Sequence, residues 1–239
     1  MSAFVWRLVL TTGAGSIFGF LVARQAYDAA IMAPMFIVMS FSFGLAIFIL
    51  LMMATYNWTN RPLGDMIVNR LGKLLGVFVA SVFYMVVVYH LTNLYGTENH
   101  ELEAFLLLGH NGGGVYAFLF WVVQIFVGTA IPLALLLCPR FAGNRKAIAF
   151  AAGLVIIGGM AQVYVILIGG QAFPLETFPG KEVSSSFYDG VAQAYSPTIW
   201  EIMLGLGGFA MSLAIFVFSA RAISILPVSL ADEDVDPHH

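Results

Sequence analysis

The run Leu74-Leu-Gly-Val-Phe-Val-Ala-Ser-Val-Phe-Tyr-Met-Val-Val-Val-Tyr-His90-Leu-Thr-Asn93-Leu-Tyr95 holds 22 residues without one Asp, Glu, Lys or Arg. A helix of about 20 apolar residues crosses the ~30 Å hydrocarbon core of a bilayer. Five more runs of this kind lie near Phe4–Ala23, Ala29–Tyr56, Val115–Cys138, Ala147–Gly169 and Pro197–Leu226. The sequence therefore predicts an all-α integral membrane protein. It is expected to be a bundle of about six transmembrane helices in a single domain, residues 1–226, followed by an acidic tail, 227–239. The first run is the most diluted, by Thr11, Thr12, Gly13, Gly15, Ser16 and Gly19. Its Gly15-x-x-x-Gly19 spacing suits close helix packing in lipid.

Composition agrees. Of 239 residues, 60% are hydrophobic and 10% charged, against about 25% charged in soluble domains, and the mean hydropathy is +0.91. Membrane lipid is thus a partner, while a net charge of −3 gives no reason to expect nucleic acid. The single cysteine, Cys138, excludes an internal disulfide and any all-cysteine metal cluster within the chain. Phe4–Ala23 has no strong basic region before it and does not read as a cleaved signal peptide.

Charge sets an expected orientation. With six spans, eight of the ten Lys and Arg (Arg7, Arg61, Arg70, Lys73, Arg140, Arg145, Lys146 and Arg221) fall on one side, and Arg24 and Lys181 on the other. The positive-inside rule makes both termini cytoplasmic in a bacterial or archaeal inner membrane. The opposite face is acidic and includes Glu98, Glu101 and Glu103. The loop Asn57–Lys73 reads as short, basic and cytoplasmic. In the next loop, the apolar patch Phe105–Leu108 is expected to dip into the interface.

One polar stretch, Gly169–Glu201, interrupts the apolar pattern. Its aromatics argue against disorder, and long loops of this kind are commonly functional. It reads as an ordered cap, ending in a helix that starts at Ser196-Pro197.

Few residues could carry chemistry. His90 lies within a span, with Asn93 three residues on and on the same helical face. Ionisable groups in a membrane are functional candidates by default; the alternative is an interfacial histidine bonded to a loop carbonyl. Arg24 and Asp28, four apart, suit a local ion pair or bonds to the large loop. Glu201 complements the helix dipole in the first turn of its helix, and with Tyr195 it can hold the head of an amphiphile. Gln124 and Gln162 read as interhelical hydrogen-bonding residues. A b-type haem spanning a bundle usually takes two histidines on membrane helices, and only His90 qualifies. No haem or iron–sulfur cluster is expected in this chain.

Several stretches resemble the NrfD/polysulfide reductase C family. They are Tyr195-Ser-Pro197-Thr-Ile-Trp-Glu201 with Arg221-Ala-Ile-Ser-Ile-Leu-Pro227, and Phe120-Trp121-x-x-Gln124-x-x-x-Gly128-x-x-x-Pro132-Leu133. Arg24-Gln-Ala-Tyr-Asp28 with Pro34-x-Phe36 and Gly44 adds a third. The long loop is most similar to the HybB and DsrP branch. The resemblance implies a quinone-interacting membrane anchor of a respiratory oxidoreductase, with menaquinone or ubiquinone as substrate. It also implies an iron–sulfur electron-transfer subunit and catalytic or cytochrome subunits as partners. His90, Asn93, Tyr195, Glu201, Arg24 and Asp28 are then the candidate quinone-binding residues. Family members have eight to ten spans, so another membrane chain, or a longer sequence before Met1, is expected to complete the pocket. Two other classes stay open: a transporter or proton-conducting subunit, and a purely structural anchor.

Overall fold

The computed structural model describes residues 2–21, 24, 26–138, 143–174, 192, 195–223 and 227–235. Six long helices occupy the six apolar runs: α1 (Ser2–Gly19), α2 (Met32–Trp58), α3 (Asp65–Tyr95), α4 (Gly114–Leu137), α5 (Arg145–Ala172) and α6 (Ile199–Ala222). Helices α2 to α6 are long and apolar enough to cross a membrane. At 18 residues α1 is shorter, about 27 Å at 1.5 Å per residue, and its Thr and Gly residues leave it less apolar. The chain is an all-α, multi-pass integral membrane protein.

Helices α2, α3, α4 and α5 pack into one bundle, and α1 lies against α2. Glycine makes two of these approaches possible. A Cβ on Gly15 would stand 2.8 Å from the Ala33 Cα, and one on Gly128 would stand 2.4 Å from the Gly158 Cα. Either is closer than carbon atoms can pack. Helices α4 and α5 therefore cross backbone to backbone at Gly128–Gly158. Within α4, Leu119–Ala130 has the wider i→i+5 hydrogen bonding of a π-helix, a pattern common near functional sites. Pro132 has no N–H to give Gly128, and Thr129 Oγ1 donates to the Gln124 carbonyl at 3.0 Å.

Three apolar clusters stack along the bundle. At the end carrying most of the basic residues lie Ile49, Tyr56, Val68, Leu75, Leu136 and Val155. Met32, Met35, Met39, Val86, Tyr89 and Phe120 fill the middle. Tyr27, Leu102, Phe105, Leu106, Tyr116 and Phe173 close the far end, here called the connector end because residues 96–113 join α3 to α4 there.

Several boundaries differ from the sequence reading. Helix α3 starts at Asp65 rather than Leu74, because its first turns are amphipathic and bury Val68 and Gly72 while Lys73 stays exposed. The connector is a string of helical turns rather than an irregular loop, and its patch is not interfacial throughout: Leu102, Phe105 and Leu106 are buried. Helix α6 starts at Ile199, capped by Thr198 in place of Ser196. Of the expected cap, residues 175–191 and 193–194, with Lys181, lie outside the described residues. The described part of the tail, residues 227–235, docks on the start of α3. Asp232 accepts from the backbone N–H groups of Asp65 and Met66 at 3.1 and 3.0 Å, which caps α3 from 167 residues away. Leu230 pairs with the strand-like Leu63. Arg61 and Tyr56 donate to the Pro227 carbonyl at 3.0 and 3.2 Å, while Arg145 pairs with Asp65.

Helix α6 stands apart. None of its residues is buried, and one of its contacts is Arg221 over the Trp58 ring, 5.7 Å from the centroid.

Candidate ligand cavity

Between the middle and connector-end clusters lies a cavity with about 380 Å³ of empty space, its open mouth included. Ligand sites are mostly apolar, with a few placed polar groups. The lining matches that pattern. Met35, Val86, Leu106, Phe120, Val165 and Ile166 form apolar walls; Tyr89, His90, Gln124 and Gln162 bring the polar groups.

His90 sits one turn from the end of α3, its ring edge-on to Phe120 at 4.8 Å and to Tyr89 at 5.0 Å. Nδ1 lies 2.7 Å from Oε2 of Glu103. The other carboxylate oxygen accepts from Asn93 Nδ2 at 2.8 Å. Glu103 is 1% exposed, and a carboxylate buried this deeply is costly unless hydrogen-bonded. Here both oxygens are engaged. The bonds also orient the imidazole: Nδ1 faces the carboxylate, and Nε2 is the nitrogen left for a ligand.

Tyr89, beside His90, donates through its hydroxyl to the Ala26 carbonyl at 2.8 Å. Tyr27 donates to the Leu167 carbonyl at 2.7 Å; burial pushes its phenol above the usual range, against the lowering effect of Arg24. Arg24 Nη1 donates to the Gln171 carbonyl at 2.9 Å and reaches those of Gly170 and Phe173 at 3.4 and 3.5 Å. A cation over the last carbonyls of α5 complements the negative end of the helix. These bonds tie the α1–α2 turn to the end of α5, where Ala26 and Gly170 line the cavity.

Deeper in, Gln124 and Gln162 are 5% and 3% exposed. Gln124 Oε1 and Gln162 Nε2 are buried with no hydrogen-bond partner among the described residues. Their positions follow from the glycine crossing. Helices α4 and α5 run antiparallel, and each glutamine lies four residues from it toward the connector end. Each is ten residues inside its helix (114 to 124, 162 to 172), roughly 15 Å at 1.5 Å per residue. They face one depth.

The six sequence candidates are distributed unevenly. His90 lines the cavity and Asn93 braces Glu103 behind it. Arg24 is bonded to the end of α5. Asp28 is exposed, and no ion pair joins it to Arg24 among the described residues. Tyr195, 43% exposed, and Glu201 are not among the lining residues. Glu201 instead completes a capping box, accepting from Thr198 N at 2.7 Å and Thr198 Oγ1 at 2.9 Å. The sequence reading missed Glu103, which it counted with the acidic face, and gave the two glutamines no ligand role. A signal for Glu103 was present: the apolar Leu106 and Leu107, three and four residues on, share its helical face, so a carboxylate there is carried inward.

An antiparallel helical bundle in a membrane, with a buried histidine–carboxylate pair on an apolar cavity, defines the class. Residues 1–175 match the family described as Polysulphide reductase, NrfD. The chain belongs to that family. The match ends before the Tyr195–Pro227 stretch that carried part of the resemblance. Two curated relatives extend the likeness along nearly the whole chain. One is the Hdr-like menaquinol oxidoreductase integral membrane subunit of Archaeoglobus fulgidus, 28% identical over 235 residues, 98% of this chain and 59% of that protein. The other is a selenate reductase subunit of Mesobacillus selenatarsenatis, 27% identical over 233 residues, 95% of this chain and 50% of that protein. The chain thus spans roughly half to three-fifths of the length of these relatives.

Proposed function

We propose that this chain is the quinone-interacting membrane subunit of a multi-subunit oxidoreductase, and that the head group enters the cavity beside His90. The observation that carries this reading is the His90–Glu103–Asn93 arrangement on an apolar cavity in a membrane bundle. The family membership supports it, as does a relative named as a menaquinol oxidoreductase subunit. Menaquinone is therefore favoured over ubiquinone as the substrate.

Oxidising a quinol removes two electrons and two protons. The electrons leave to an iron–sulfur partner subunit, and the chain's own task is protonic. A carboxylate at Glu103 accepts from Nδ1–H and leaves the Nε2 lone pair free for the cavity. Nε2 is then the base that takes a proton from one quinol hydroxyl, passes it on toward water, and takes the second in turn. The imidazolium formed is stabilised by Glu103, which Asn93 holds in place. In quinone reduction the same groups deliver the proton. Positioned proton transfer of this kind contributes about 10²–10⁴-fold to rate.

The remaining partners follow from the surfaces. The connector end, nearest the cavity mouth, is where the iron–sulfur subunit docks, with catalytic or cytochrome subunits beyond it. Helix α6 is covered by another membrane chain or by further helices of a longer chain, since none of its faces is buried. Both termini lie in the cytoplasm of a bacterial or archaeal cell, as the basic residues suggest.

Quinol-dependent electron transfer by the purified complex tests the reading. His90→Phe is expected to cut turnover at least a hundredfold while assembly is kept. Unchanged turnover would remove His90, and with it the proposed site.

A further inference from the structure

We propose that Gln124 and Gln162 together recognise a single hydroxyl group, so that the cavity holds a hydroquinone in preference to the matching quinone. The inference rests on the quinone reading and adds to it a redox-state preference and the residues that set it.

The argument starts from two unmet needs. Among the described residues, Gln162 Nε2 is a donor without an acceptor, and Gln124 Oε1 is an acceptor without a donor. Each offers what the other lacks, and both side chains line one cavity at one depth. Yet no hydrogen bond joins them. A group that fits between them must accept from one side and donate to the other. A hydroxyl does both through one oxygen. A quinone carbonyl only accepts: it satisfies Gln162 and leaves the Gln124 oxygen buried and unpaired, the costly half of the comparison.

The rest of the cavity suits the same ligand. Two oxygens lie across the ring in a hydroquinone. With one hydroxyl between the glutamines, the other points back toward the mouth, where His90 lines the wall. The ring between them meets Phe120, Val86 and Val165. Helix α4 is in its widened π form around Gln124, and Pro132 with the Gly128–Gly158 contact fixes the depth of both glutamines.

The test is calorimetric and uses the intact complex in lipid nanodiscs. Menadione is titrated into the oxidised complex and menadiol into the fully reduced complex, so that neither is consumed. In the wild type menadiol should bind about tenfold more tightly, the factor that one net hydrogen bond confers. Gln124→Leu should bring the two affinities together by weakening menadiol alone. Equal or reversed affinities in the wild type would overturn the inference; they would mean a bridging water, or a Gln124 amide turned to present its N–H₂. A ratio unchanged by Gln124→Leu would overturn it as well. Ile166→Trp, which fills the cavity from its wall, separates this inference from the reading beneath it. Equal affinities that are both lost in Ile166→Trp defeat the hydroxyl preference alone. Binding that survives Ile166→Trp defeats the cavity as the quinone site.

Discussion

Glu103 holds His90 from outside its helix: Oε2 lies 2.7 Å from Nδ1, across thirteen residues and the turn from α3 into the connector. Because both Glu103 oxygens are engaged, by His90 and Asn93, the connector cannot shift without breaking the pair. His90 and the connector that braces it are thus held together.

Glu103→Gln tests that coupling. The amide keeps the size and can still bond to Asn93, but it no longer carries the charge that stabilises an imidazolium. Quinol-dependent turnover is expected to fall about a hundredfold, with the assembled complex recovered in normal yield. Glu103→Leu should do more, because it leaves His90 and Asn93 without their partner in a buried site. Loss of about 2–5 kcal/mol of stability is expected, read as a lowered unfolding midpoint in nanodiscs.

The Gly128–Gly158 crossing makes a second, purely steric prediction. Gly158→Ala places a methyl against a backbone that cannot give way, so α4 and α5 must part. The cost should be about 1–3 kcal/mol, and the glutamines should lose their common depth. Gly153→Ala is the control, since nothing lies within 4 Å of a Cβ there. It should leave the unfolding midpoint unchanged or slightly raised. Similar destabilisation by both would mean that the two backbones do not meet at this crossing.

The C-terminal segment gives a third. Asp232→Ala removes the carboxylate that caps α3, and such caps contribute about 1 kcal/mol. Hydrogen exchange at Asp65 and Met66 should quicken, and a protease should cut after Pro227 sooner. Protection identical to the wild type would mean that the segment does not dock.

Orientation can be read by labelling. In a Cys138→Ala background, cysteines at the exposed Glu98 and Lys146 should react with an impermeant reagent from opposite sides. Lys146 should face the cytoplasm, by the basic bias of its end. Reaction of both from the same side would overturn the topology.

Much of the fold was legible because it is written in apolar length. Runs such as Leu74–Tyr95 must satisfy their own backbone when no water is present, so the six helices were placed, with the start of α3 nine residues out. Boundaries failed where water returns. The first turns of α3 are amphipathic and looked like a loop, and the tail looked free because nothing local shows that Asp232 caps a helix 167 residues away. At the site, His90 and Asn93 stood out as polar residues in a span. Glu103 did not, because its neighbourhood of glutamates suggested solvent, and only its helical spacing to Leu106 and Leu107 points inward. Gln124 and Gln162 were visible, but their lack of partners is a property of the packed bundle alone. Tyr195 and Glu201 drew attention as polar groups at a helix start, where Glu201 caps its helix.

Photolabelling of the complex with an azido-substituted menaquinone, mapped by mass spectrometry of the resulting peptides, tests the central claim most directly. Label on Val86–His90 of α3 and on Gln162–Ile166 of α5, displaced by excess menaquinone, is the predicted result. Displaceable label confined to Tyr195–Glu201, with none on α3 or α5, would contradict the account.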